Sequence, residues 1–115
     1  MKLYQYKKCS TCVKAKKFLE AKKIDFKEID ITMKPPMKKE LKQMLSFYDG
    51  NIRKLFNTSG MVYRELNLKD KLPAMSEKEA IDLLSSNGKL VKRPFLLGDN
   101  FGRVGFKEDE WKERI

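Results

Sequence analysis

The spacing of apolar residues changes several times along the chain, and each change marks an element. Leu3 to Tyr6 is a short apolar-aromatic run, right for a buried strand, and it ends at Lys7-Lys8-Cys9. Ser10 and Thr11 are helix N-cap residue types. From there to about Lys23 the period is helical, with Cys12, Ala15, Phe18 and Leu19 on one side. A second strand is predicted over Asp25 to Ile31, with Ile29 and Ile31 facing the same way. Pro35 or Pro36 can open the next helix. Met37, Leu41, Met44, Leu45 and Tyr48 then recur at helical spacing until Asp49-Gly50-Asn51.

The second half reads as short helices followed by a hairpin. Ile52 to Phe56 predicts a short helix, Asn57-Thr58-Ser59-Gly60 a turn, and Met61 to Leu68 one or two helical turns. Ser76 with Glu79 is a capping box, opening a helix that ends near Asn87-Gly88. Phe95 to Leu97 and Arg103 to Phe106 predict two strands joined at Gly98-Asp99-Asn100. Glu108 to Arg114 predicts a last helix. The order is β-α-β, several helices, then β-β-α, an α/β domain.

A length of 115 residues suits one domain with one core. The N-terminal segment lacks the apolar stretch of a secretory signal, and no run is long and apolar enough for a membrane span. The expected location is therefore the cytoplasm, where static disulfides are rare. The net charge is +10. It is mostly lysine, spread from Lys2 to Lys112 and mixed with acids, so it reads as a solvated surface with no direct nucleic-acid contact.

Two small counts decide more. Histidine is absent and cysteine occurs twice. A Ser-His-Asp triad, a Cys-His pair and a histidine-ligated zinc are excluded. No metal is expected: a zinc site on the two thiols would need carboxylates or a second chain to complete it. Cys9-Ser10-Thr11-Cys12 lies where the first strand gives way to the first helix, the context in which C-x-x-C suggests redox chemistry. A helix N-terminus offers unpaired N–H groups and partial positive charge, which favour a thiolate in front of it. Cys9 is therefore the expected nucleophile. Cys12, inside the first turn, is the expected resolving thiol. Two inert thiols remain an alternative.

Arg93-Pro94 precedes the Phe95 strand, where a proline is tolerated as a first strand residue. Thioredoxin-like folds place a cis-proline here, opposite the reactive cysteine, and X-Pro bonds are where cis peptides occur. An arginine beside it would stand near the thiol, able to stabilise a thiolate or grip an oxyanion. A surface arginine before a trans proline is the alternative.

Together these features resemble the arsenate reductase (ArsC) family, including its Spx/MgsR branch of redox regulators. The matching residues are Tyr4-x-Tyr6-x-x-Cys9-Ser10-Thr11-Cys12, Lys34-Pro35-Pro36, Lys92-Arg93-Pro94 and Val104-Gly105-Phe106-x-Glu108-Asp109. Phe56-Asn57-Thr58-Ser59-Gly60 and Tyr63-Arg64-Glu65-Leu66 are also typical. The resemblance runs nearly end to end. It implies a bacterial protein with one domain over 1–115: a thioredoxin-like core in 1–36 and 89–115, with a helical insertion over 37–88.

For function, the resemblance points two ways. In the reductases one cysteine, matching Cys9, attacks arsenate, and three arginines surround the oxyanion. One of these matches Arg93; the other two fall at Asn57 and Phe106. Lys107 would lie on the other side of a strand. Serine stands in the reductases where this chain has Cys12. Ser10, Thr11, Pro94 and Asn57 are the expected supporting residues. No bound cofactor is implied; the reductant would be glutathione, glutaredoxin or thioredoxin. The Spx-like branch keeps C-x-x-C as a redox switch and binds the C-terminal domain of the RNA polymerase α subunit. An enzyme, a regulatory binding module and a degenerate member with a non-redox role all stay open.

Overall fold

A computed structural model describes residues 1–114. Four short strands form one sheet: β1 (Lys2–Gln5), β2 (Lys27–Asp30), β3 (Phe95–Leu97) and β4 (Gly102–Val104). Their order across the sheet is β2-β1-β3-β4. β1 runs parallel to β2 and antiparallel to β3, and β3 runs antiparallel to β4. The strands come from the two ends of the chain. The stretch between them holds α2 (Lys38–Ser46), α3 (Met61–Glu65), α4 (Leu68–Lys71) and α5 (Glu77–Ser86), while α1 (Ser10–Ala21) and α6 (Glu108–Arg114) flank the sheet strands in sequence. No helix among the described residues is long and apolar enough to cross a membrane.

Alternation along the strands sorts the core into two layers. Leu3 and Leu96, paired across β1 and β3, pack with Ala15, Phe18 and Leu19 of α1 and Trp111 of α6. Tyr4 and Phe95, the next pair, point to the other face and meet edge to face at 5.6 Å. There they join Ile31, Leu41, Met44 and Ile81. The sheet is therefore covered on both faces, as its apolar β1 and β3 require. This is the thioredoxin-like arrangement that the sequence suggests.

Most predicted elements are present; β1 is shifted by one residue, and β2 and β4 are shorter than predicted. Tyr6 lies outside β1 because its carbonyl accepts the Cys9 N–H at 2.9 Å, a turn bond in place of a ladder bond. β2 is an edge strand whose four residues pair with the four of β1, so Asp25 and Ile31 fall beyond it. β4 stops at Val104, because Gly105 takes φ +70 and breaks the extended backbone. Neither Pro35 nor Pro36 opens α2: its N-cap is Met37, whose N–H is taken by the Glu40 carboxylate at 3.0 Å. Met37 is consequently exposed, while Leu41, Met44 and Leu45 form the buried stripe. The Ser76–Glu79 capping box forms in both directions. Gly88 lies so close to β2 that a Cβ there would fall 1.7 Å from the Ile31 carbonyl oxygen.

Candidate active site

The turn after β1 delivers Cys9 to the head of α1. Cys9 has extended backbone angles and is itself the N-cap: its Sγ accepts the Cys12 N–H at 3.4 Å. The expectation of a Ser10 or Thr11 cap is thus corrected. A thiol one residue earlier occupies the capping position, and Ser10 is the exposed first residue of the helix. Cys9 is partly exposed, Cys12 is fully buried, and both are free thiols. Burial is the main reason the Cys12 thiol is pushed up to about 12, and its hydrogen bond with Cys9 adds to the effect. The Tyr6 backbone and the Arg93 charge act in the opposite direction.

Arg93 reaches this turn from the other side. The Arg93–Pro94 peptide bond is cis. The guanidinium carbon sits 5.2 Å from the ring centroid of Tyr6, the residue whose carbonyl sets the Cys9 turn. Pro94 is buried, and its carbonyl accepts the Gly105 N–H at 2.9 Å. The chain after β4 is thereby tied to the segment before β3.

A cavity of about 540 Å³ opens beside this junction. Thr11 and Arg93 line one side of it, and Phe106 faces it. Asn57 does not line it, although its neighbours Phe56 and Thr58 do. The Asn57 side chain stays within its own turn: its Oδ1 accepts from Ser59 at 3.4 Å, and its amide lies against Gly60. Of the three positions around the oxyanion in the resembling reductases, only Arg93 therefore brings a cation. Among the described residues no group of cysteine and carboxylate side chains comes together to hold a metal.

Four further cations face the cavity, none of which the sequence assigned to the site. Arg53 and Lys54 come from the 3-10 turn Ile52–Leu55, Lys92 from the residue before Arg93, and Lys107 from the segment after β4. Lys107 was expected behind a strand; Gly105 ends the alternation and lets it face the cavity. The signal available for Arg53 and Lys54 was the left-handed turn at Asp49 and Gly50, which redirects the chain before them.

The chain matches the ArsC family over residues 4–114. It is 51% identical to the uncharacterized protein YusI of Bacillus subtilis over 110 residues, covering 96% of this chain and 93% of that protein. It is 30% identical to the global transcriptional regulator Spx of Streptococcus pyogenes over 102 residues, covering 89% of this chain and 75% of the regulator. An ArsC family related protein from Bacteroides fragilis has the same fold, with a TM-score of 0.91 and 46% identity, covering 97% of this chain and 94% of that one.

Proposed function

Because the chain belongs to the ArsC family, we propose that it acts as a dithiol redox protein in which Cys9 attacks a disulfide and Cys12 resolves the intermediate. The observation that carries this reading is the pairing of a partly exposed Cys9 thiol with a buried Cys12 one helical turn away. The exposed sulfur meets the substrate, and the buried one is withheld until an electrophilic sulfur is attached beside it.

The chemistry balances on these two residues and one substrate disulfide. The Cys9 thiolate bonds to one substrate sulfur, the substrate S–S bond breaks, and the departing thiolate takes a proton from solvent. Cys12 gives up its proton and attacks the Cys9 Sγ. An internal disulfide forms, and the second half of the substrate leaves as a thiol. Two electrons have passed from protein to substrate. A thiol reductant such as glutathione, glutaredoxin or thioredoxin returns them, in keeping with a cytoplasmic setting.

Arsenate is a weaker candidate substrate. With Asn57 turned into its own turn and Phe106 apolar, two of the expected guanidinium contacts are missing. Each is worth about 1.5–3 kcal/mol as a charge-assisted hydrogen bond.

The test is mass spectrometry of the reduced protein after exposure to a disulfide substrate. Wild type should end with a Cys9–Cys12 disulfide, Cys12→Ser should stop at a mixed disulfide on Cys9, and Cys9→Ser should stay unmodified. A Cys12→Ser protein that completes turnover like wild type would sink the resolving role.

The similarity to Spx supports a second reading, in which the same disulfide controls binding to a partner. The partner suggested by the resemblance is the RNA polymerase α C-terminal domain. Binding that differs between the oxidised and reduced protein is its expected mark; no binding in either state would remove it.

A further inference from the structure

The cavity beside the cysteines is lined by far more positive than negative side chains. Arg53, Lys54, Lys92, Arg93 and Lys107 face it, against the lone carboxylate of Glu110. None of the five cations takes part in an ion pair among the described residues. They come from three separate segments of the chain: the Ile52–Leu55 turn, the residues before β3 and the residues after β4. Its volume of about 540 Å³ falls in the roughly 300–1,000 Å³ range of small-molecule sites. Cys9 is absent from the lining, yet Thr11 and Arg93, which border the thiols, belong to it. The cavity thus adjoins the thiols without including them, which leaves it free to take a part of a ligand that does not react.

We propose that this cavity is a recognition site for disulfides whose non-reacting portion carries several carboxylates. The proposal rests on the dithiol reading above and names its substrate class. Anionic groups held by Arg53, Lys54, Lys92 and Lys107 place the ligand's S–S bond at Cys9. Exchange then follows the balanced steps already given: ligand disulfide plus protein dithiol yields two ligand thiols and the Cys9–Cys12 disulfide. Contacts remote from the reacting sulfur steer and hold the ligand, the use to which oriented surface charge is well suited.

Two aromatic disulfides separate charge recognition from thiol reactivity. Dithiobis(nitrobenzoate) carries a carboxylate on each ring, and dithiodipyridine is uncharged. The readout is the ratio of their second-order rates. In Lys54→Gln/Lys107→Gln this ratio should fall about tenfold from its wild-type value. Lys69→Gln/Lys71→Gln removes the same charge from α4, outside the cavity, and should leave the ratio within about twofold. Equal falls in the two variants, or none in either, would overturn the proposal.

A second arm needs no thiol chemistry. The single tryptophan, Trp111, donates from Nε1 to the Gly105 carbonyl of the cavity wall at 3.2 Å. Citrate, which carries three carboxylates and no sulfur, should give a saturating change in Trp111 fluorescence in wild type and none in Lys54→Gln/Lys107→Gln. A response that persists unchanged in that variant overturns the site. If citrate behaves as expected but neither disulfide yields the Cys9–Cys12 bond, the dithiol reading fails, and the substrate role fails with it.

Discussion

The Tyr4 hydroxyl donates a 2.6 Å hydrogen bond to the Glu40 carboxylate, joining the central strand β1 to the start of α2. The same carboxylate accepts from the Met37 N–H and from Lys2 Nζ, each at 3.0 Å. Burial opposes ionisation of Glu40, but these donors outweigh it and hold the carboxyl below its ordinary value. One buried acid thus anchors a strand, caps a helix and satisfies a buried tyrosine.

Tyr4→Phe should cost about 1–3 kcal/mol at neutral pH, because a buried carboxylate loses its shortest partner. The folded protein releases the Glu40 proton more readily than the unfolded chain does. The stability this gives is complete above the ordinary value of 4.5 and is lost as pH falls through the lower, folded value. Urea unfolding at stepped pH should show a shallower acid-side loss in Tyr4→Phe than in wild type. An unchanged slope would show that Tyr4 does not hold the carboxylate ionised.

Cys12 behaves oppositely. Its folded thiol, pushed up to about 12 chiefly by burial, keeps a proton that the unfolded chain gives up near 9.0. Its contribution to stability is therefore full below about pH 9 and is lost as pH rises toward 12. Cys12→Ala should cost about 1 kcal/mol at neutral pH and flatten the alkaline limb of the stability curve. Alkylation followed by peptide mapping should label Cys9 first, and Cys12 only on unfolding.

Arg93 favours ionisation of Cys12. Arg93→Ala should slow the resolving step, so a mixed disulfide on Cys9 should persist several-fold longer than in wild type. Rapid quenching and mass spectrometry read this lifetime. Equal lifetimes would show that the arginine does not act on the resolving thiol.

Gly88→Ala should be among the most damaging single changes outside the site. The new Cβ would meet the backbone oxygen and carbon of Ile31, at 1.7 and 2.7 Å, and backbone cannot rotate away. A loss at or beyond the upper end of the roughly 1–3 kcal/mol of overpacked cores is expected, read as a fall in the unfolding midpoint. A stability equal to wild type would mean that the segment before β3 is not pressed against the end of β2.

The elements and the placement of the two cysteines were legible because they rest on local signals. Hydrophobic period marked β1, α1 and the body of α2, the Ser76–Glu79 box marked the start of α5, and C-x-x-C at a strand-to-helix junction marked the thiols. What escaped was decided by non-local contacts. The α2 boundary depends on Glu40 reaching back to Met37 while buried against Tyr4. The cation set of the cavity depends on the bend at Gly105 and on the approach of the Ile52–Leu55 turn to the segment before β3, which Phe56 and Val91 join as an isolated bridge. Asn57 matched a motif position, yet its side chain was claimed by its own turn.

The capping role of Cys9 gives this protein a built-in mechanical record of its own chemistry. The atom proposed to perform exchange is also the acceptor that fastens the first turn of α1. Once bonded to another sulfur it is a poorer acceptor for the Cys12 N–H. Removing a good cap costs a helix about 0.5–2 kcal/mol. Every turnover should therefore loosen the head of α1 and then tighten it again, so that amide exchange at Cys12 reads out whether Cys9 is bonded to another sulfur or free.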